Sequence, residues 1–183
     1  MNKETKTDTP KTPRLPRGAR RELLLKSQKY LDLMEACAAY VAVCAPAILD
    51  PEAAYAFMRP LIEKSDSVNQ ESFYVILLNG KSRVIGSPIE CTRGLVNSTP
   101  VHPREVSCHA VRLNATSIVL CHNHPSGDPT PSREDIAATR RLIEAGKIIG
   151  IHIADHIVIG RPNSGTYTGY FSFRGSGVCS FTE

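Results

Sequence analysis

The sequence predicts an α/β sandwich in which helices cover a mixed sheet. Amphipathic helical patterns alternate with short β-rich runs along most of the chain, which favours packed layers of helix and sheet. Thr116–Cys121 is apolar on both faces and too short for a typical helix, which is typical of a central strand covered on each side. The chain has 183 residues, 42% of them apolar, enough for the core of one domain of ordinary size.

The N-terminal part of the chain is basic and is predicted to precede this domain. Residues 1–30 carry nine lysines and arginines against three acids, a net charge of +6, so the rest of the +4 chain carries −2. Residues 1–18 are rich in Thr, Pro, Lys and Arg, which predicts a disordered tail. Residues 19–50 are interpreted as an N-terminal helical segment, because apolar residues recur at helical spacing from Ala19 to Cys44. Pro46 ends this pattern.

The domain is predicted to begin at residue 51 and to end at residue 174. Asp50 and Pro51 form an N-cap followed by a first-turn proline, and Asn79-Gly80 is a hairpin turn signal. The elements predicted around them are a helix at 51–63, a strand at Ser72–Leu78, a returning strand at Arg83–Ile89 and a helix at Pro103–Leu113.

Beyond the central strand, residues 122–131 form a loop dense in Pro, Gly and Asp. Ser132 is a suitable N-cap for a helix through Ala145, with Gly146 as its C-cap. The predicted closing strands are Ile151–Ile159 and Tyr170–Phe173. Residues 175–183 are predicted to form a C-terminal tail.

Cysteine usage and hydropathy indicate the compartment. The six cysteines have no C-x-x-C spacing and are interpreted as reduced, mostly buried thiols of a cytoplasmic protein. The N-terminus lacks an apolar stretch suited to secretion, and the most hydrophobic run, Ala36–Leu49, is too short to cross a bilayer. We therefore expect no membrane partner. The absence of Trp argues against an aromatic platform for single-stranded nucleic acid.

The sharpest chemical feature is H-N-H-P-S-G-D-P-T-P-S-R-E-D, residues 122–135. His122 and His124 lie two positions apart at the end of a predicted strand, so their imidazoles face the same side. Asp135 lies in the first turn of the next helix, from which its side chain can point back toward the strand end. Two imidazoles and one carboxylate suit a zinc site with three protein ligands and a fourth position for water. The alternative is that Asp135 only complements the helix N-terminus.

Two other zinc sites do not fit this pattern. A nucleobase deaminase requires H-x-E followed by P-C-x-x-C, whereas position 124 is His and no C-x-x-C is present. The H-E-x-x-H helix of thermolysin-type proteases is also absent.

The segment resembles the JAMM signature of JAB/MPN metalloproteases, H-[ST]-H-x(7)-S-x(2)-D, with Asn123 in place of Ser or Thr. Three further runs, Gln70-Glu71, Val101–Glu105 and Asp155–Gly160, resemble the MPN domain of the RadC family. The resemblance covers roughly residues 51–174. It implies a three-layer α-β-α sandwich of the MPN (cytidine-deaminase-like) type, and a Zn²⁺ ion bound by His122, His124 and Asp135.

The resemblance also implies catalytic residues. Glu71 precedes a hydrophobic strand, as the catalytic glutamate of JAB/MPN proteins does, and would serve as general base toward a zinc-activated water. Glu63, Glu90 and Glu105 are alternatives, and a surface role for Glu71 is another. Ser132 would help to hold the oxyanion, or would act only as the helix N-cap.

His152 and His156 are expected on one face of the predicted strand Ile151–Ile159. For His156, a supporting or structural role is expected rather than metal ligation. Cys121 precedes His122 and is therefore expected to face the core, away from the metal.

Three functions follow as hypotheses. The first is a zinc metallopeptidase-like hydrolase that cleaves an amide or isopeptide bond in a peptide or protein. The second is a DNA-associated repair or recombination protein of the RadC type, which binds or cleaves nucleic acid with help from the basic tail. The third is a scaffold without catalysis, against which the complete ligand set argues. RadC proteins usually carry a helix-hairpin-helix region ahead of the MPN domain, and we expect a short form without it.

Overall fold

The computed structural model describes residues 25–33, 45–64, 69–94, 101–161 and 168–181. The chain divides into two compact units, Met1–Val43 and Cys44–Glu183. In the first unit, residues 25–33 are helical (α1), as predicted for this stretch. The other residues of the predicted helix, 19–24 and 34–44, lie outside the described residues, as does the predicted tail at 1–18.

The second unit is a mixed sheet with helices, which confirms the predicted fold class. Its strands lie in the order β2-β1-β3-β4-β5; β3 and β4 are parallel, and the other neighbouring pairs are antiparallel. Its elements, in chain order and within the described ranges, are α2 (Pro51–Lys64), β1 (Glu71–Leu78), β2 (Ile89–Gly94), α3 (Pro103–Arg112), β3 (Ser117–Asn123), α4 (Arg133–Ile149), β4 (His152–Ile159), β5 (Tyr170–Ser172) and α5 (Phe173–Ser176).

Each face of the sheet packs against helices, which gives three layers. On one face, Met58 and Ile62 of α2 pack on strand residues such as Val119. On the other, helices α3, α4 and α5 pack on the alternate strand residues, including Leu120. In β3, every residue from Ile118 to Asn123 is buried, because both faces of this central strand are covered.

A β-bulge in β4 changes which of its side chains face α4. Ile118 of β3 pairs with Ile153, but the next residue, Val119, pairs with Asp155, so Ala154 is an extra residue. The alternation of faces inverts there, and His156 becomes fully buried while His152 is exposed. The prediction that His152 and His156 share a face is therefore wrong.

Asp155 fixes the strand beside this bulge. Its carboxylate accepts hydrogen bonds from the backbone N–H of His156 (2.7 Å), the backbone N–H of Arg174 (2.9 Å) and the hydroxyl of Ser172 (2.6 Å). Burial raises the pKa of Asp155, and the hydrogen bonds from Ser172 and Arg174 oppose that rise. The bulged part of β4 is thereby joined to β5 and α5.

Several predicted element boundaries are wrong. Strand β3 continues through Asn123, so the loop predicted at 122–131 begins two residues later. The strand that returns beside β1 begins at Ile89, whereas Arg83 and Val84 form only isolated bridges after the turn at Asn79. The closing strand ends before Phe173, which begins α5. Helix α4 continues through the predicted cap to Ile149, and Gly150, with φ of 77°, is the C-cap.

Gly146 lies inside α4 for a packing reason. A Cβ at this position would lie 2.5 Å from the carbonyl oxygen of Ile151, so only glycine allows this approach. Among the described helices, none is both long enough and apolar enough to cross a bilayer.

Candidate metal centre

Four side chains from three parts of the fold meet at one end of the sheet. Glu71, His122, His124 and Asp135 each offer one donor atom, and these atoms all lie within 4.8 Å of one another. The Nε2 atoms of His122 and His124 are 3.1 Å apart. Asp135 places Oδ1 at 3.4 Å from His122 Nε2, and Oδ2 at 3.6 Å from His124 Nε2. The structure thus brings together all three residues predicted as ligands and the glutamate predicted as base.

These separations fit a small divalent cation. With metal–ligand distances of about 2.0–2.2 Å, the ligand atoms of a tetrahedral zinc site lie about 3.3–3.6 Å from one another. The three distances among the imidazole nitrogens and the Asp135 carboxylate lie close to that range. The cluster is able to hold a metal ion without a change of fold.

In its neutral form, His124 presents an unprotonated nitrogen to the centre. Its Nδ1 lies 2.8 Å from the carbonyl oxygen of Asp128, which can only accept a hydrogen bond. In a neutral ring, the hydrogen is therefore on Nδ1, and the Nε2 lone pair faces His122 and Asp135. The backbone also holds this residue, since its N–H donates to the carbonyl oxygen of Ile159 at 2.9 Å.

The loop after His124 is fastened to the segment that follows β4. The Arg161 N–H donates to the Gly127 carbonyl oxygen at 2.8 Å, and the Gly127 N–H donates to the His124 carbonyl oxygen at 3.0 Å. Gly160 makes this approach possible, because a Cβ there would lie 2.4 Å from the Gly127 carbonyl oxygen. The position of His124 therefore depends on a glycine that does not itself belong to the cluster.

Asp135 is oriented by the N-terminus of α4. Ser132 is the N-cap, and its Oγ accepts from the Asp135 N–H at 3.1 Å. In return, Asp135 Oδ2 accepts from the Ser132 N–H at 2.7 Å and from its hydroxyl at 2.6 Å. The hydroxyl hydrogen of Ser132 thus points to Asp135. The oxyanion role of Ser132 stays a prediction, and it requires that hydrogen to be redirected.

The electrostatics of the cluster favour positive charge at its centre. Burial alone would raise the pKa of Asp135, but His122 and His124 lower it well below its ordinary value. Burial alone would likewise lower the pKa of His124, whereas the Asp135 carboxylate and the Asp128 carbonyl raise it. Both shifts arise because positive charge on the imidazoles and negative charge on the Asp135 carboxylate stabilise one another, so the cluster favours a cation at its centre.

Asn123 holds the backbone on both sides of Glu71. Its Oδ1 accepts from the Ser72 N–H at 3.0 Å, and its Nδ2 donates to the Gln70 carbonyl oxygen at 3.0 Å. The Asn123 residue is 3% exposed. A carboxamide offers a donor and an acceptor on separate atoms, which suits this bridge. The sequence marked Asn123 only as a departure from the signature and did not predict this role.

The alternative glutamates are engaged elsewhere. Glu63 pairs with Arg59 at 2.7 Å, Glu90 pairs with Arg93 at 2.6 Å, and Glu105 completes the N-terminal capping box of α3. In the part of the chain that the structure describes, the cluster includes Glu71 and none of these three.

The described cysteines lie outside the cluster. Cys121 is buried on the α2 face, away from the cluster, as predicted, and burial raises the pKa of its thiol. Cys91, Cys108, Cys121 and Cys179 are free thiols.

A cavity of about 280 Å³ lies beside His124. It is bounded by the last turns of α2 and by the end of β4, and it combines apolar walls with charged groups. Its lining residues are Arg59, Ile62, Glu63, Asn123, His124, Ile159, Gly160 and Arg161. Space for a ligand is therefore available next to the cluster.

Comparison with known proteins finds a family model that matches the chain within its second unit, and several relatives of similar sequence. The sequence profile of the RadC-like JAB domain matches residues 48–178. The UPF0758 protein STH371 of Symbiobacterium thermophilum is 46% identical over 132 residues, 72% of this chain and 52% of that protein. A UPF0758 protein of Pelobacter propionicus is 56% identical over 91 residues, 50% of this chain and 39% of its own length. The chain spans about half the length, or less, of these curated relatives.

Gly160→Ala is expected to displace the loop that carries His124. The added Cβ meets backbone atoms of Gly127 and Pro129, so the loop must move, at a cost of about 1–3 kcal/mol of stability. Zinc affinity, measured by competition with a chromogenic chelator, is expected to fall together with the melting temperature.

Gly80→Ala is the matched control, since a Cβ there meets nothing within 4 Å. Equal zinc affinity in the two alanine variants would contradict the proposed dependence of His124 on Gly160.

Proposed function

This chain belongs to the family of RadC-like JAB domains, and from that premise we propose that it is a zinc-dependent hydrolase of the metallopeptidase type. The proposed reaction is cleavage of an amide or isopeptide bond. The observation that carries the proposal is the meeting of Glu71, His122, His124 and Asp135 within 4.8 Å. Two imidazoles and a carboxylate form the ligand set of several catalytic zinc sites, and a nearby glutamate supplies the base.

The proposed roles follow from the geometry of the cluster. His122, His124 and Asp135 hold the ion, which when bound lowers the pKa of a water molecule and polarises the substrate carbonyl. Glu71 accepts the proton of the attacking water on its carboxylate as the oxygen bonds to the carbonyl carbon. It then delivers this proton to the amine nitrogen as the C–N bond breaks, which returns the carboxylate to its starting state.

The surroundings support these roles. Asn123 fixes the backbone on each side of Glu71, so the base is held while it gains and loses a proton. The cavity beside His124 is proposed to receive part of a peptide or protein substrate, with Ile62 and Ile159 contacting apolar groups.

Zinc binding is expected to depend on His122. Protein purified without added metal should contain about one zinc per chain, and His122→Ala should lose it, because one of the three protein ligands is removed. Inductively coupled plasma mass spectrometry measures this directly. Glu90→Gln, which alters an ion pair outside the cluster, is the control and should retain the metal. An equal zinc content per chain in wild type and His122→Ala would contradict the proposal.

Glu71→Gln is expected to slow hydrolysis strongly and to leave zinc in place. Loss of a general base lowers the rate by about 10²–10⁴-fold, whereas the amide preserves the size of the side chain. Cleavage of a panel of quenched fluorogenic peptides and of an isopeptide-linked lysine peptide provides the assay. Glu90→Gln is again the control. Undiminished hydrolysis in a zinc-loaded Glu71→Gln protein would assign the base to another residue.

The second candidate function is DNA association, and the basic charge of residues 1–30 favours it. Replacing the nine basic residues of this segment by glutamine should abolish binding to a labelled DNA duplex. For wild type, an affinity based on 6–10 phosphate contacts falls by about 10³–10⁵-fold between 50 and 200 mM salt. Fluorescence anisotropy measures both effects. Binding that survives the replacement, or that ignores salt, would count against this function.

A further inference from the structure

A line of buried polar groups extends from His122 away from the cluster. His122 Nδ1 lies 2.8 Å from His156 Nε2, and His156 Nδ1 lies 2.6 Å from Thr139 Oγ1. Thr139 Oγ1 also lies 2.6 Å from the backbone carbonyl oxygen of Asp135. The side chains of His122, His156 and Thr139 are buried, with at most 1% of each residue exposed. Protein atoms therefore satisfy these contacts without help from bulk water.

The hydrogens along this line have only one consistent arrangement for neutral rings. A carbonyl oxygen cannot donate, so the single hydroxyl hydrogen of Thr139 points to Asp135. Thr139 Oγ1 must then accept from His156, which places the ring hydrogen of His156 on Nδ1. His156 Nε2 is left as an acceptor, so His122 donates from Nδ1. The Nε2 atom of His122, which faces His124 and Asp135, therefore carries a lone pair.

The surroundings of His156 favour a neutral ring. The ring stacks on Phe173 with centroids 4.7 Å apart, and it meets Phe73 edge-on at 5.4 Å. Its two nitrogens contact a hydroxyl and another imidazole rather than a carboxylate. A charged imidazolium in such a place would lose its hydration without gaining an ionic partner.

We propose that His156 and Thr139 are positioning residues that fix the tautomer and the ring orientation of His122, so that its Nε2 is always available to the metal. This inference rests on the proposed metal site. Hydrogen bonds of this kind from a metal-binding histidine to a neighbouring group are worth about 10–100-fold in metal affinity. Here the line begins at one ligand and ends on the backbone of another, so it also fixes β3 relative to α4.

The structure also explains why a hydroxyl is required at position 139. Thr139 lies one helical turn after Asp135, on the same face of α4. Without its hydroxyl, His156 Nδ1 would have no acceptor, and the ring would gain by carrying its hydrogen on Nε2. That hydrogen would point at His122 Nδ1 and would move the hydrogen of His122 to Nε2. The metal would then have to displace it.

The experiment compares Thr139→Val with Thr139→Ser. Valine keeps the shape and removes the hydroxyl, whereas serine keeps the hydroxyl. In metal-free wild type and Thr139→Ser, two-bond ¹H–¹⁵N spectra of ¹⁵N-histidine protein at neutral pH should show Nδ1–H tautomers for both His122 and His156. In Thr139→Val, both rings should change to Nε2–H. Zinc affinity by chelator competition should fall about 10–100-fold in Thr139→Val and be rescued in Thr139→Ser.

Several results would overturn the inference. An Nε2–H tautomer at His122 or His156 in metal-free wild type does so directly, and this measurement requires no variant to fold. A folded Thr139→Val protein with unchanged tautomers and unchanged zinc affinity does so as well. Failure of the proposed function would be distinguishable. A wild type that binds no zinc would contradict the proposed metal site, whereas the tautomers of the metal-free protein would still test the line of hydrogen bonds from His122 to Thr139.

Discussion

The local structure around the cluster depends on one constraint. Hydrogen-bond acceptor atoms face the centre, and the N–H hydrogens of the neutral imidazole rings point away from it. The Asp128 carbonyl oxygen accepts a hydrogen bond from His124 Nδ1, and the N–H and hydroxyl of Ser132 both donate to Oδ2 of Asp135. These contacts leave a lone pair of His124 and the carboxylate oxygens of Asp135 facing the centre. Such a group is unfavourable unless a positive charge lies at its centre. The capping box and the tight loop are best understood as the means of maintaining this arrangement.

The ligand set was predictable because it rests on short-range geometry. The alternation of side chains along a strand brings His122 and His124 to one side, and an N-cap at Ser132 places Asp135 in a first helical turn that faces them. The resemblance to JAB/MPN proteins selected Glu71, which no local pattern could place near residues about fifty positions away. The adjacent strands β1 and β3 bring it there. Its selection as base came from the family, and its position is a property of the fold.

The supporting residues were not predictable, because they depend on register between distant strands. His156 faces His122 only because Ala154 is an extra residue in β4, and a sequence pattern with a period of two gives no sign of this. Thr139 could have been noticed as a residue one turn after Asp135, but its acceptor role requires knowing where His156 lies. Gly146 shows a related difficulty. Glycine occurs both at helix C-caps and where two backbones pack closely, and only the position of the Ile151 carbonyl shows that the second reason applies here.

The extra residue in β4 has a consequence for how this domain tolerates change over evolution. Substitution of Ala154 alters one small side chain, but its deletion would restore simple alternation and exchange the faces of all residues on one side of it. His156 would turn toward α2, and Ile157 toward α4. The number of residues in β4 therefore constrains the site more strongly than the identity of the residue at position 154 does. Lineages of this domain should vary more freely in the composition of β4 than in its number of residues.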